Sequence, residues 1–320
     1  MPLKEKSDLR IVFMGTPEFA VPSLRLLAES GFRPEAVVTG RDRPRGRGLH
    51  VAPTPVKKAA QELEITTILQ PLSVKDPGFA RVIGDLTPDI IIVVAFRILP
   101  PAVYTAAGLG AFNLHASLLP RYRGAAPIHR AVMAGERETG VTTFFLQASV
   151  DTGAVILRRP VAIGPEETTG DVHDRLMQVG ARAVVETVRR IAAGDVRTDV
   201  QDDADATRAP KIFKEDCRLL WDVPAEVVHN HCRGLSPHPG AWTCHGSTRF
   251  KIYRTRLCKG SGRPGEVLEA GAALRVACGD GAIEILELQQ AGHRRMAAAE
   301  LLNGYALKTG TLFAGDGCVK

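Results

Sequence analysis

The sequence predicts an α/β protein: a mainly parallel sheet flanked by helices, followed by a small β-barrel of OB-like length. Three observations carry this reading. Short, fully apolar runs such as "RIVFMG" and "DIIIVVAF" recur between segments of helical period, the pattern of strands buried on both faces of a parallel sheet. Residues 195–210, "DVRTDVQDDADATRAP", hold five aspartates among small residues with no apolar period and read as a linker. Beyond Lys211 the apolar residues alternate in short runs separated by glycine-containing turns, the pattern of an antiparallel barrel.

The elements follow in order. "RIVFMG" is a strand; Thr16-Pro17 then reads as an N-cap with proline at the first helical position, and Phe19, Leu24 and Leu27 mark a helix that ends at Gly31. The alternation continues through "EAVVTG" as a strand, "TPVKKAAQELE" as a helix, "TTILQ" as a strand, a helix near 75–86, and "DIIIVVAF" as a strand. "GAFNLHA", "VTTFFLQ" and "AVILRRPVAI" complete the strands of the first domain, and a long helix from about Thr169 to Ala193 closes it. The second domain has a helix near 224–233 and strands at "AWTCHG", "RFKIYRTRL", "GEVLEA", "ALRVACG" and "AIEILELQQ". The expected division is 1–194, a linker 195–210, and 211–320.

Composition excludes several classes. With 45% hydrophobic and 24% charged residues, the 320-residue chain is neither disordered nor fibrous. The N-terminal segment has no apolar core of signal-peptide length and no stretch approaches a membrane span, so a cytoplasmic protein is expected. The six cysteines, all in the last third, form no C-x-x-C pair and read as reduced thiols. His229, His231, Cys232, Cys244 and His245 suggest a zinc set only on paper, because adjacent His231 and Cys232 cannot share a helix face, and no metal is expected.

The net charge of +6 suits an anionic partner. Up to residue 210 there are 26 basic and 24 acidic residues; after it there are 15 and 11, so the excess sits disproportionately in the smaller part. Its most concentrated expression is "GRDRPRGRG" at 40–48, a loop that is either a solvated surface or a phosphate-binding segment.

The first strand ends "MGTPEF", with one glycine where a dinucleotide fingerprint needs three. The informative stretch is "FNLHASLLPRYRGAAPIHRAV", residues 112–132. Asn113 and His115 lie on one face at the end of a strand, since alternate residues point the same way, and the carboxyl ends of strands are where open α/β sheets bind ligands. An amide and an imidazole converging there can donate to a carbonyl oxygen as it becomes an oxyanion. Asp151, in "ASVDTGAVI", offers the acid–base partner. The bland alternatives are a satisfied structural histidine and, for "SLLP", an apolar turn under the sheet.

"NLHASLLPRYRGAAPI" followed by "VDTGAVI" resembles the folate-dependent formyltransferases. With "GTPEFAVPSL", "DRPRGRG", "TPVK", "GLSPHPGAWT", "VACGDGAIEILELQ" and "LLNGY" in order over almost the whole chain, the resemblance narrows to the methionyl-tRNA formyltransferases. It implies a Rossmann-like formyltransferase domain with an OB-like second domain that binds tRNA. The implied reaction is transfer of the formyl group of 10-formyltetrahydrofolate to the α-amino group of methionyl-initiator tRNA. It also implies catalytic Asn113, His115 and Asp151, and a folate site formed by Phe96, Ser117, Leu118, Leu119 and Pro120. Contacts to tRNA would come from Arg41, Arg43, Arg45 and Arg47, with Gly46-Arg47-Gly48 entering the acceptor stem, and from Lys211 and Lys214. Nothing in the motifs needs a dimer, and a monomer is expected. At Phe96-Arg97 the sequence departs from the Ala-Tyr-Gly that the family commonly carries in the pterin loop. Two alternatives remain at this point: a formyltransferase acting on an amino sugar or nucleotide, and an RNA-binding protein without catalysis.

Overall fold

The computed structural model describes residues 9–45 and 50–314, without the side chains of Arg45 and His50. The strands of the first half are β1 (Ile11–Gly15), β2 (Ala36–Val38), β3 (Arg43–Arg45), β4 (His50–Ala52), β5 (Thr67–Leu69), β6 (Ile90–Val94), β7 (Gly110–His115), β8 (Arg123–Gly124), β9 (Glu138–Phe145) and β10 (Val155–Ala162). The helices are α1 (Val21–Glu29), α2 (Pro55–Glu62), α3 (Pro77–Asp85), α4 (Pro101–Tyr104), α5 (Pro127–Met133) and α6 (Thr169–Ala192). After the short β11 (Arg208–Ala209) come α7 (Ala225–Gly234), β12 (Ala241–His245), β13 (Thr248–Cys258), β14 (Val267–Ala270), β15 (Leu274–Ala277), β16 (Ala282–Gln290), β17 (Met296–Ala297), α8 (Ala298–Leu302) and β18 (Phe313–Ala314). The chain forms two compact units. One gathers residues 1–124, 139–161 and 173–208; the other gathers 125–138, 162–172 and 209–320.

The first unit is built on a seven-stranded sheet of order β10-β9-β7-β6-β1-β2-β5. Its centre is parallel, with Val12 opposite Ala36 on one side of β1 and Ile91 on the other. β1 and β6 read as uninterrupted apolar runs because every one of their ten residues is buried. Each large side chain so buried contributes roughly 1.5–3 kcal/mol relative to exposure. The exception to parallel order is β9, which runs antiparallel to β7 with Asn113 opposite Phe144 and His115 opposite Thr142. Chain direction is not written in a buried apolar run, so the sequence pattern does not distinguish the two.

The start of the first helix also departs from expectation. Glu18–Ala20 form a 3-10 turn whose cap is Pro17, without a side-chain cap, and α1 begins only at Val21. Thr16 Oγ1 instead accepts from the Gly40 N–H at 3.1 Å, joining the ends of β1 and β2. The expected cap at α2 is present, Thr54 accepting from the Lys57 N–H at 3.1 Å with Pro55 behind it.

The second unit holds an antiparallel sheet of order β14-β15-β16-β13-β12-β18, with β17 added to β16. A bulge near Tyr253 breaks the long β13–β16 pairing and bends the sheet around an apolar core that includes Trp221, Phe250, Ile252, Ile283 and Phe313. The Thr168–Asp171 segment forms a capping box: Asp171 Oδ2 accepts from the Thr168 N–H at 2.9 Å, and Thr168 Oγ1 accepts from the Asp171 N–H at 3.2 Å. Cys217, Cys232, Cys258 and Cys278 are free thiols, as expected, and burial pushes Cys278 up to about 12, which makes it inert at neutral pH. Cys244 departs from the expectation and is disulfide-bonded.

Helix α6 reaches β7 through Gly180, where an added Cβ would lie 2.7 Å from Leu114 Cδ2. Leu114 sits between Asn113 and His115, so this contact sets the height of the strand end that carries both. Gly180→Val is expected to destabilise the protein by roughly 1–3 kcal/mol through overpacking. Urea denaturation would show it as a lower midpoint with an unchanged slope.

Candidate active site

Asn113 and His115 leave the end of β7, and Asp151 stands in the turn that follows β9, so three side chains meet at the carboxyl edge of the sheet. His115 is 6% exposed, and its Nδ1 lies 3.8 Å from Asp151 Oδ2. Its Nε2 lies 2.9 Å from the Tyr122 carbonyl oxygen. A carbonyl only accepts, so Nε2 carries a proton and Nδ1 is the atom free to gain or give one. When Nδ1 is protonated, the imidazolium faces the Asp151 carboxylate.

The turn that presents Asp151 is unusual backbone. Asp151 has φ 57°, the left-handed region. Gly153 packs so closely that a Cβ there would stand 1.7 Å from the Phe145 carbonyl oxygen, which explains the glycine of the Asp-Thr-Gly motif. Gln201 fastens the turn from behind, its amide donating to the Asp151 carbonyl at 3.0 Å and the Gly153 carbonyl at 2.8 Å. Arg123 in turn donates to the Gln201 side-chain oxygen at 3.1 and 2.9 Å. The Gly124 N–H reaches Asp151 Oδ2 at 2.9 Å. Gln201, which lies in the expected linker, is the residue sequence reasoning missed. Its only signal there is a buried-type amide among aspartates, and that is too weak to single out.

A cleft opens beside these groups. Its apolar wall is made by Phe96, Ile98, Leu99, Phe144 and Leu146, and Asn113 and Asp151 also line it. Among the described residues the Asn113 amide has no hydrogen-bond partner, so it is available to a group that enters the cleft. The four-residue segment after His115 is placed differently. Ser117 is fully buried and donates to the Arg121 carbonyl at 2.6 Å, and Leu119 is buried against Phe144 and Val155. The Leu119 N–H donates to Thr142 at 3.1 Å, and the Leu119 carbonyl accepts from Arg158 at 2.8 Å. Ser117, Leu118, Leu119 and Pro120 therefore stand beside the cleft, and of the five expected folate contacts Phe96 lines it.

Arg97 accounts for the departure at the pterin loop. Its guanidinium donates to the carbonyls of Pro71 and Leu72, both at 3.0 Å, and stands 5.2 Å from the centroid of Phe96. The side chain thus ties the loop after β6 to the loop after β5, and Arg97 also lines the cleft. Burial, then the neighbouring Arg43, lowers its pKa, yet a guanidinium remains charged.

The basic segment of residues 40–48 is a hairpin at its root, β3 paired antiparallel with β4, where the sequence suggested a loop. Arg41 and Arg43 are exposed; the side chain of Arg45 and all of Arg47 lie outside the described residues. Asp42 turns inward to accept from Lys57 at 2.6 Å and Gln70 at 2.8 Å, which holds its carboxyl below the usual range. In the second unit Lys211 and Lys214 are exposed, and the Lys211 ammonium stands 5.6 Å from the Phe213 ring centroid.

Two of the three histidines considered for zinc are otherwise engaged. His229 contacts Thr255 Oγ1 at 2.8 Å and the Pro165 carbonyl at 3.1 Å, and His245 contacts the Tyr305 hydroxyl at 2.9 Å. Among the described residues no group of three or more suitable side chains could hold a metal ion.

Residues 9–188 match the formyl transferase family model, and residues 211–306 match the formyl transferase C-terminal domain. The chain is 50% identical over 315 residues to a methionyl-tRNA formyltransferase of Chlorobium phaeovibrioides, covering 96% of this chain and 98% of that one. To the methionyl-tRNA formyltransferase of Geobacter sulfurreducens it is 45% identical over 316 residues, covering 98% and 99%. Among solved structures, HypX from Aquifex aeolicus in complex with tetrahydrofolic acid shares the fold at 20% identity and a TM-score of 0.63, over 92% of this chain and 47% of that one. The sugar 3N-formyl transferase WlaRD shares it at 17% identity and a TM-score of 0.66, over 89% and 99%. Matched over 96% or more of its length by methionyl-tRNA formyltransferases at 45–50% identity, the chain belongs to that family.

Proposed function

We propose that the protein moves the formyl group of 10-formyltetrahydrofolate onto the α-amino group of methionyl-initiator tRNA, with Asn113, His115 and Asp151 as its catalytic groups. The observation that carries these roles is the cleft that holds an unpartnered amide beside a histidine–carboxylate pair. Its apolar wall fits a flat ring. The donor supplies the formyl carbon, which gains a bond to the amine and loses its bond to the folate nitrogen.

The chain's own groups divide the work. The Asn113 amide donates to the carbonyl oxygen as charge builds on it. The proton on Nε2 is committed to Tyr122, so His115 adds a donor to that oxygen only when Nδ1, the atom that faces Asp151, also carries a proton. The attacking amine must be neutral and must lose a proton, and the His115–Asp151 pair is the nearest route for it. Phe96, Ser117, Leu118, Leu119 and Pro120 form the folate site, with Phe96 as the ring contact on the cleft wall.

For tRNA, Arg41, Arg43, Arg45 and Arg47 of the hairpin and Lys211 and Lys214 of the second unit supply phosphate contacts. The domain division at 194 and 211, an OB-like second domain, a monomer and a cytoplasmic location complete the reading. In its support, the antiparallel sheet is curled, and no described helix is long and apolar enough to cross a membrane. A sugar acceptor is the weaker reading, because the sugar formyltransferase resembles this chain in fold at 17% identity, whereas the methionyl-tRNA enzymes match it at up to 50% over its length.

Formylation of charged initiator tRNA, followed as incorporation of label from the donor, tests the proposal. Asn113→Ala, His115→Ala and Asp151→Ala should each lower kcat by about 100-fold or more, the scale of removing a preorganised group; formylation of a small amine with none of Met-tRNA would overturn it. Gln201→Ala should act through the turn it holds: kcat falls while the donor's KM moves little, and the stability loss stays near 1–3 kcal/mol for two orphaned carbonyls. Arg97→Ala should do the reverse, raising the donor's KM several-fold with kcat nearly kept, and Arg97→Lys should restore little because an ammonium cannot fork to two carbonyls. Arg43→Ala should weaken tRNA and spare donor binding.

A further inference from the structure

The second unit carries a cavity that the formyl-transfer site does not use. It encloses about 360 Å³, within the range of roughly 300–1,000 Å³ typical of ligand sites. Ile212, Phe213, Pro239 and Trp242 form its walls, so the lining is largely apolar. Lys214, Arg249 and Lys251 stand among them, and among the described residues no carboxylate lines it. Asp216, close by in sequence, is turned to Arg130 at 3.3 Å and to the Phe213 N–H at 2.9 Å.

The details suit a flat, electron-rich guest attached to negative charge. Phe213 is 58% exposed, which is unusual for a large aromatic ring that could have packed inward. The Lys211 ammonium lies 5.6 Å from its centroid. The inner wall is rigid: the Trp242 ring lies under the Arg249 guanidinium at 4.6 Å, and its Nε1–H donates to the Lys214 carbonyl at 3.1 Å. The Lys251 ammonium is anchored on the Pro239 carbonyl at 2.7 Å. Aromatic faces set among cations are the physical basis of single-strand nucleic-acid binding, where bases stack and phosphates pair with Lys and Arg.

We infer that this cavity receives an unstacked nucleotide of the tRNA substrate, the base stacking on Phe213 and the flanking phosphates meeting Lys214 and Lys251. The inference rests on the tRNA substrate proposed above and adds to it a stacking contact. Charge complementarity selects the occupant, since an apolar peptide or lipid tail would gain nothing from the ammonium groups of Lys214 and Lys251.

Binding of labelled RNA by fluorescence anisotropy separates stacking from charge. The probes are initiator tRNA, a short single-stranded RNA and an RNA duplex of matched length, each titrated between about 50 and 200 mM salt. Phe213→Ala should weaken the single strand and tRNA by about 5- to 150-fold, the range of one lost base–aromatic stack, with the salt slope unchanged and the duplex unaffected. Phe213→Trp should restore binding and Phe213→Leu should not. Lys214→Ala should instead lower the salt slope by about one for every probe. Unchanged affinity in Phe213→Ala, wild-type affinity in Phe213→Leu, or equal losses for single strand and duplex would each overturn the inference. Far-ultraviolet circular dichroism and the melting temperature of each variant serve as folding controls. Formylation by the wild type is scored separately, so failure there removes the proposed reaction while the oligonucleotide arms still decide the cavity.

Discussion

The candidate site depends on one strained turn and the amide that holds it. Asp151 occupies left-handed backbone, a conformation that costs a non-glycine residue about 1–3 kcal/mol. Against that cost stand the two donations from Gln201 and the Gly124 N–H on the carboxylate, each worth about 1 kcal/mol net. The two sides nearly balance, so the turn keeps its shape only while all three bonds are made. What the arrangement secures is direction. Oδ2 is fixed between the Gly124 N–H and the His115 ring, and the ring is fixed by the Tyr122 carbonyl, so neither member of the pair can rotate away from the other.

How much of this was legible in the sequence follows from the range over which each interaction acts. The parallel centre of the first sheet was readable because burial on both faces leaves continuous apolar runs, and each lies within a few residues. Asn113 and His115 were readable for the same reason: a two-residue spacing at a strand end is local information. Their coupling to Asp151, 36 residues beyond His115, came from motif resemblance, since the antiparallel return of β9 that brings it back leaves no mark in an apolar pattern. Gln201 was illegible. Its partners lie at 123, 151 and 153, and no local rule connects a glutamine in an aspartate-rich stretch to a distant turn.

Charge was legible in amount but not in arrangement. "GRDRPRGRG" announces a basic segment, and its single aspartate reads as a partial neutraliser of four arginines. The fold gives Asp42 a different task. It accepts from Lys57 and Gln70, and Gln70 also donates to the Gly40 carbonyl at 2.6 Å, so the acid is consumed at the root of the hairpin. With Asp42 so engaged, the exposed Arg41 and Arg43 are left without it as a neutraliser, which strengthens their attraction for phosphate.

The same contacts give meaning to the substitution at the pterin loop. Gln70 is followed by Pro71 and Leu72, the two carbonyls that Arg97 grips. A continuous series of hydrogen bonds therefore runs from the loop that lines the cleft, through Arg97 and residues 70–72, to Asp42 and the root of the basic hairpin. A glycine at position 97 would leave the loop after β6 to be ordered by whatever binds in the cleft, and the entropy of ordering would be drawn from binding energy. Arginine orders it in advance and joins it to the hairpin. In this chain the wall of the cleft and the root of the basic hairpin are thus parts of one hydrogen-bonded support, and a change at Arg97 acts on both.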